Sequence, residues 1–308
     1  MRTLRFHRNG EPLDVLRLED AEPPQPAPGQ IRVAVEVCTV NPADLALCRG
    51  LYPGDLPRGV GLEVAGTVDA VGEAVPGVRL GDAVFGPAPF TGPTAGASDH
   101  AVLDTWFPRP PALTPAAAAA LPMAVDTAQL GLDLLGITAD TTLLVSGGGT
   151  TTGFAAVQLA RLSGARVLTT AGPTHTEALR ATGAEITTYG EGMAERVREL
   201  AGGPVDVVLD VSPPDDATIP ELLRTVTDPR HVLTISNLAA ARELGARDAF
   251  TEGPLGHRYD VVEKCAQLAA EGGFGIPVAR VIPLTGWREA IELSQSPRPG
   301  GKVVLQVG

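Results

Sequence analysis

Cysteine is scarce: Cys38, Cys48 and Cys265 are three in number, with no Cys-x-x-Cys spacing. An odd, unclustered set excludes a disulfide framework and leaves reduced, structural thiols. Basic residues are outnumbered, 24 Lys+Arg against 36 Asp+Glu, for a net charge of −12. No basic cluster offsets that balance locally, so nucleic acid and anionic membrane surfaces are excluded as partners. No apolar run approaches the ~20 residues that span a bilayer. The opening Met1-Arg-Thr-Leu-Arg-Phe-His7 also lacks the apolar stretch of a secretory signal. A soluble, cytoplasmic protein is expected. Nor does any segment repeat at a fixed period.

What remains is a globular composition, 44% hydrophobic over 308 residues, long enough for two domains or one large one. The first third reads as strands and turns. Ile31 to Thr39 alternates apolar and polar residues with β-branched enrichment, as a half-buried strand does. Gly66 to Val71 alternates again, Gly81-Asp82 is a turn before Ala83 to Phe85, and Pro23 to Gly29 is a proline-rich loop. Thr114-Pro115 signals a helix start, with Ala116 to Ala120 behind it.

From Thr141 strands and helices alternate. Strands are read at Leu143–Val145, Arg166–Leu168, Val205–Val211 and His231–Ile235, and helices at Phe154–Leu162 and about Thr176–Thr182. This order implies a parallel sheet with helices on both faces. A helix around Val261–Ala270, an extended Val278–Pro283, a helix near Trp287–Ser294 and a strand at Val303–Val307 complete the chain.

The richest segment is Leu143 to Ala160, LLVSGGGTTTGFAAVQLA. A strand runs into glycines and a helix opens straight after them. A dinucleotide needs that context, because a tight turn must aim the free amides of a helix N-terminus at the pyrophosphate. Read as Gly148-x-Thr150-x-x-Gly153, with Gly149 between, the fingerprint has threonine at its central glycine. Thr150 either pushes the pyrophosphate outward or bonds it through its hydroxyl, and the second is expected. Thr151 and Thr152 add two more hydroxyls. An ordinary turn that binds nothing is the competing reading. No lysine follows, so this is not a Walker loop. The second strand ends at Thr169-Thr170-Ala171-Gly172 without the acid that grips an NAD ribose. NADPH is therefore preferred over NADH, with Thr170 among its contacts.

A family resemblance runs through the whole chain. Asn41-Pro42-Ala43-Asp44, Gly50-Leu51-Tyr52-Pro53 and Gly61-Leu62-Glu63-Val64-Ala65-Gly66 carry it, as do Val71-Gly72, Gly77 to Gly86, Val157 to Ala160, Gly164 to Val167, Gly183-Ala184 and Gly301-Lys302-Val303-Val304-Leu305. In that order they resemble the zinc-free quinone oxidoreductase branch of the medium-chain dehydrogenase/reductase superfamily. The resemblance implies an α/β fold: a Rossmann doubly wound parallel sheet plus a GroES-like β-barrel substrate domain. The expected domains are 1–118 and 269–308 for substrate, with 119–268 for dinucleotide. It also implies a homodimer and hydride transfer from NADPH to quinones, enones or other activated double bonds of small molecules.

Zinc-bearing relatives carry Cys–His where this chain has Asn41-Pro42, and Gly-His-Glu where it has Gly61-Leu62-Glu63. Three cysteines cannot supply a four-cysteine lobe either, so no metal is expected. This chain also departs from its relatives at Thr150 and Thr151, where two glycines are usual, and near Thr176, where a lysine often stands. Ser212-Pro213-Pro214-Asp215 replaces a glycine-containing turn. These departures keep open a member that has lost redox activity and performs a non-redox step on a metabolite, or only binds it.

In the implied cleft, Tyr52 would donate to a substrate carbonyl, or else pack beneath its turn. Asn41 would orient an amide, or act as a turn residue before Pro42, while Asp44 caps the following helix. Thr127 matches a position facing the nicotinamide, or bonds back within its helix. Tyr189 would cover the adenine end, or sit on the surface. Ser236 and Asn237 end a strand where ligands bind, or form a plain turn. His7, His100 and His257 are expected to be surface or structural, and the loop Leu238 to His257 to shape the pocket.

Overall fold

The computed structural model describes residues 1–252 and 256–308. They form two compact units, one of residues 1–123 with 263–308, the other of residues 124–262. Among the described residues no helix is long and apolar enough to cross a membrane.

In chain order, the first segment holds β1 (Arg2–Phe6), α1 (Pro12–Val15), β2 (Leu16–Asp20), β3 (Ile31–Val40), α2 (Pro42–Cys48) and β4 (Arg58–Gly59). It continues with β5 (Glu63–Val71), β6 (Ala83–Pro87), β7 (His100–Leu103), β8 (Phe107–Pro108) and α3 (Pro115–Ala119). The middle segment begins with α4 (Pro122–Leu135), β9 (Thr142–Ser146), α5 (Thr151–Leu162), β10 (Arg166–Thr170), α6 (Thr176–Ala181) and β11 (Glu185–Thr187). It goes on through α7 (Met193–Ala201), β12 (Val207–Asp210), α8 (Thr218–Leu223), β13 (Val232–Thr234), α9 (Leu238–Leu244), β14 (Arg247–Asp248) and α10 (Tyr259–Ala270). The tail supplies β15 (Val278–Pro283), α11 (Trp287–Gln295) and β16 (Lys302–Gln306).

In the first unit the main sheet runs β15-β16-β3-β5-β6-β8, with β7 also on β3, and a small sheet runs β2-β1-β4. Along β3 burial alternates up to Val37, after which every residue to Val40 is buried. The alternation is what one covered face requires; the buried end lies where β16 pairs, Val303 opposite Val40 and Leu305 opposite Cys38. The last strand thus completes a sheet begun by the first segment. Leu4, Phe6, Ile31, Leu47, Leu62 and Leu103 form the fully buried centre.

The second unit is a six-stranded sheet, β11-β10-β9-β12-β13-β14, with every pairing parallel. Counted within the unit, the order is three-two-one-four-five-six, so the winding reverses between β9 and β12. Ligands bind outside the carboxyl ends of strands at such a reversal. Leu143, Leu144 and Val145 are fully buried because helices cover both faces. Helix α5 leaves the carboxyl end of β9 and ends at Ser163, beside the amino edge. Gly136 and Ile137, just past α4, share a shallow hollow with Ser163. Further up α4, Gly131 packs so closely on Leu209 that a Cβ would come within 2.8 Å of its Cδ1. Helix α4 therefore descends to the amino edge, and Asp126 and Thr127, early in the helix, lie nearer the carboxyl edge.

One expectation fails. The stretch from Leu238 to His257 is not a plain loop: it contains α9 and the sixth strand, and residues 253–255 within it lie outside the described residues. A two-residue strand has no periodicity to read, and α9 is closed by Gly245 in the left-handed region.

Phe85 on β6 is fully buried and packs on Phe107 with ring centroids 5.4 Å apart. Phe85→Ala is expected to cost about 3–5 kcal/mol, because the surrounding strands cannot collapse into the space left. Urea unfolding followed by tryptophan fluorescence checks this; a loss under about 1 kcal/mol would contradict the packing.

Candidate active site

In the second unit, the turn between β9 and α5 sits at the reversal of the sheet. Gly147 has φ +88°, and a Cβ there would lie 2.6 Å from the Cα of Ser212, so only glycine lets this turn pass the end of β12. Gly147 donates its N–H to Thr170 Oγ1 at 2.9 Å, and Gly148 donates to the Thr170 carbonyl at 2.9 Å. Thr170 is 1% exposed. It braces the turn from beneath rather than presenting a group to a ligand.

Thr150 is the N-cap of α5. Its hydroxyl donates to the Gly147 carbonyl at 2.9 Å and accepts from the Gly153 N–H at 3.0 Å. The proton expected to meet a phosphate oxygen is therefore spent inside the turn. The amides of Gly149, Thr151 and Thr152, and the hydroxyls of the two threonines, have no partner among the described residues. Three N–H groups are thus left free where a twelve-residue helix begins, at the positive end of its dipole. Gly153 is required as well, since a Cβ would come 2.1 Å from the Gly147 carbonyl oxygen.

The neighbouring strand ends are tied by Asp210, which is fully buried. Its Oδ1 accepts from the Ser212 hydroxyl at 2.7 Å; its Oδ2 accepts from the Thr234 hydroxyl and the Asn237 Nδ2, both at 2.7 Å. Asn237 Oδ1 in turn accepts the Asp215 N–H at 2.8 Å. Asn237 is thus a brace between β12 and β13. Ser236 Oγ, by contrast, is buried with no hydrogen-bond partner, an atom with capacity to spare for a ligand. Tyr189 is 56% exposed, and its hydroxyl lies beside Gly172, past the end of β10. Arg196 donates to the carbonyls of Thr188 and Glu191, at 3.1 and 2.9 Å, and so holds the Tyr189 turn. Thr127 is half-buried on α4.

In the first unit, Glu63 is fully buried and receives four donors. Its Oε2 accepts from Thr39 Oγ1 at 2.5 Å, Asn41 Nδ2 at 3.0 Å and Lys302 Nζ at 2.9 Å; its Oε1 accepts the Met123 N–H at 2.7 Å. Asn41 also donates to Thr39 Oγ1 at 2.9 Å and accepts from Lys302 Nζ at 2.7 Å. Both amide hydrogens of Asn41 are committed to this cluster, so it positions the backbone of the site. No hydrogen bond joins Tyr52 to the cluster among the described residues. Tyr52 lies on an exposed loop against Phe90, ring centroids 5.7 Å apart, with its carbonyl held by Arg58 at 2.5 Å.

Zinc does not fit these residues. Leu62 has no donor atom, and Glu63 is saturated by Lys302 and its neighbours. Cys38 is held as a thiol, pushed well above its usual range by burial and then by the Asp44 and Glu63 carboxylates. Among the described residues no group of three or more His, Cys, Asp or Glu is gathered for a metal.

Sequence reading missed Gly147, Asp210 and Lys302. Gly147 is one of three successive glycines, and nothing local marks which one takes positive φ. Asp210 reads as a strand residue, and Lys302 as the residue before the last strand, until their distant partners are in place.

Two measurements test this geometry. Asp44 accepts the N–H groups of Asn41 and Gly61 at 2.8 and 2.6 Å, yet burial raises its carboxyl from 3.8 to about 6. The folded chain then holds this proton more tightly than the unfolded one. Its contribution is complete below about pH 4 and is lost as pH rises through about 6, by about 3 kcal/mol. Asp44→Asn should flatten that segment of the stability–pH curve; an unchanged slope would refute the assignment. Thr150→Val keeps the bulk but loses the cap, and should cost about 1 kcal/mol, with Thr150→Ser near the parent. Thermal melts of the three proteins decide it, equal midpoints being the contrary result.

Residues 27–104 match the family model described as alcohol dehydrogenase GroES-like domain, and residues 182–305 the one described as zinc-binding dehydrogenase. Over 189 residues, 60% of the chain, it is 41% identical to the spectinabilin polyketide synthase system protein NorB of Streptomyces orinoci, covering 8% of that protein. The chain spans between 5% and 14% of the length of the first three curated relatives it matches. An alcohol dehydrogenase superfamily protein from Novosphingobium aromaticivorans matches over the whole of both chains, with TM-score 0.84 and 26% identity. The quinone oxidoreductase from Coxiella burnetii matches all of this chain and 99% of its own, with TM-score 0.79 and 25% identity. A GroES-like segment, a dinucleotide-type sheet inserted after it and a tail that returns to the first sheet have one common explanation: the chain belongs to the medium-chain dehydrogenase/reductase superfamily.

Proposed function

We propose that this chain is a zinc-independent reductase that uses NADPH to reduce electron-poor double bonds in quinones, enones or enoyl thioesters. The observation that carries the reading is the nest of free amides at Gly149, Thr151 and Thr152, at the point where the sheet winding reverses. A pyrophosphate there would meet three N–H donors and the positive end of α5, with the Thr151 and Thr152 hydroxyls as further donors. When bound, the dinucleotide supplies the hydride.

The preference for NADPH rests on the end of β10. Ala171 to His175 offers no carboxylate to a ribose 2′-hydroxyl, whereas Arg196 places a cation at the Tyr189 turn, whose ring lies beside Gly172. The unpaired Ser236 hydroxyl and Thr127 are assigned to the nicotinamide side, and the Tyr52 phenol to the substrate carbonyl. Relatives among polyketide synthases favour an enoyl thioester within the substrate range, and the quinone oxidoreductase likeness favours quinones. The reading also includes a cytoplasmic homodimer joined at an edge of the parallel sheet, since an unpaired edge strand invites pairing.

The test is a fluorescence titration with NADPH and NADH, followed by cofactor consumption with p-benzoquinone and with the crotonyl thioester of N-acetylcysteamine. Saturable binding that is tighter for NADPH, with turnover of at least one acceptor, is expected. Absence of binding at millimolar cofactor would refute the reading and support a non-redox family member.

A further inference from the structure

A carboxylate and an imidazole meet on the second unit, outside the contacts described above. Asp126 on α4 is 7% exposed, between the buried residues Val125 and Ala128. Its Oδ1 accepts the Arg258 N–H at 2.6 Å, and its Oδ2 lies 2.8 Å from His257 Nδ1. A carboxylate only accepts, so the Nδ1 position carries a proton and the tautomer is set. The imidazole lies flat on Tyr259, ring centroids 4.6 Å apart and planes 2° from parallel. Its side chain is 64% exposed, and Nε2 has no partner among the described residues. The other charges nearby are already paired: Arg258 bridges Asp133 and Asp260, and Gln129 holds Asp133 at 2.8 Å. Asp126 precedes Thr127 early in α4, and both lie nearer the carboxyl edge of the sheet, where the free amides of the glycine turn also lie.

We propose that His257, oriented by Asp126, is the proton donor for reduction of a carbon–carbon double bond, an inference that rests on the reductase reading above. An imidazole that is locked through one nitrogen and open at the other is built to give a proton and recover it from water. The balance is simple. Hydride from the dihydronicotinamide forms a C–H bond at the β-carbon, and the π pair moves onto the carbonyl oxygen as an enolate. The Nε2–H bond of the imidazolium breaks as its proton goes to the α-carbon. Neutral imidazole remains, still donating Nδ1–H to Asp126, and water returns the Nε2 proton. Overall, alkene, NADPH and one proton give alkane and NADP⁺. Asp126 is a positioning residue in this scheme, since it acts only through the ring.

The two acceptors separate chemistry from structure. A reduced quinone carries its new charge on oxygen and takes a proton from water directly, whereas an enolate must be protonated on carbon. His257→Ala should lower kcat on the crotonyl thioester about 100-fold or more, with quinone reduction and NADPH affinity within about twofold of the parent. Free imidazole should restore thioester reduction in proportion to its concentration. Asp126→Asn should show a smaller loss of kcat with KM unchanged. If His257→Ala reduces the thioester like an active parent, or loses both acceptors equally without imidazole rescue, the assignment is overturned while the reductase reading stands. A parent that consumes NADPH with neither acceptor overturns both.

Discussion

The first unit depends on one buried ion pair. Glu63 and Lys302 are 0% and 3% exposed in their side chains, with Nζ and Oε2 2.9 Å apart. Removing two charges from water costs several kcal/mol each unless every lone pair and proton finds a partner. Thr39, Asn41 and the Met123 N–H supply the partners on the carboxylate, and Asn41 Oδ1 supplies one on the ammonium. The pair therefore stands only when β3, β5, the start of α2 and β16 are all in place. Because Lys302 arrives from the far end of the chain, the second unit is left as an insertion between two halves of one sheet. Two of its members, Asn41 and Glu63, stand at positions that the resemblance aligns with metal-site residues of zinc-bearing relatives, and here a lysine cation supplies the positive charge beside Glu63.

The second unit meets its own constraint at Gly147. There the chain must leave β9, clear Ser212 and point a helix start outward, all within a few residues. Thr150 shows how a departure from the usual glycine is accommodated. Its side chain is folded back as a cap, satisfying Gly147 and Gly153 together and leaving three other amides free. A residue that looks like an obstacle in the fingerprint is, in the folded chain, part of the scaffold that presents the site. Thr170 and Asn237 follow the same logic: each lies where a ligand is expected, and each spends its polar atoms on holding the strand ends.

Much of this architecture was legible in the residues. The parallel strands at Leu143, Arg166, Val207 and Val232 are short apolar runs followed by turn or helix signals, and burial on both faces explains why they read as continuous rather than alternating. The Thr114 cap was visible from residue type and spacing, whereas Asp44, expected to cap the helix that follows, lies inside α2 at its third position and bonds back to the N–H of Asn41, which is the N-cap. Helix α9 and β14 were not visible, because two paired residues carry no pattern and a helix of seven residues has barely two turns in which to show one.

Side-chain roles were harder to read than elements. Asn41 and Lys302 are 261 positions apart, Asp126 and His257 131, and Asp210 and Asn237 27. Local pattern is written by backbone geometry, in which neighbours three or four positions apart, or on alternate faces, determine one another. From it came the strand-helix order and the glycine turn, and with them the expectation of a dinucleotide site. Whether a polar group faces a ligand or another residue is decided by which distant atom fills its hydrogen bonds. Only the folded chain brings those atoms within 3 Å, and it alone showed that Thr150, Thr170, Asn41 and Asn237 brace the structure while the Gly149, Thr151 and Thr152 amides, Ser236 Oγ and His257 Nε2 remain open.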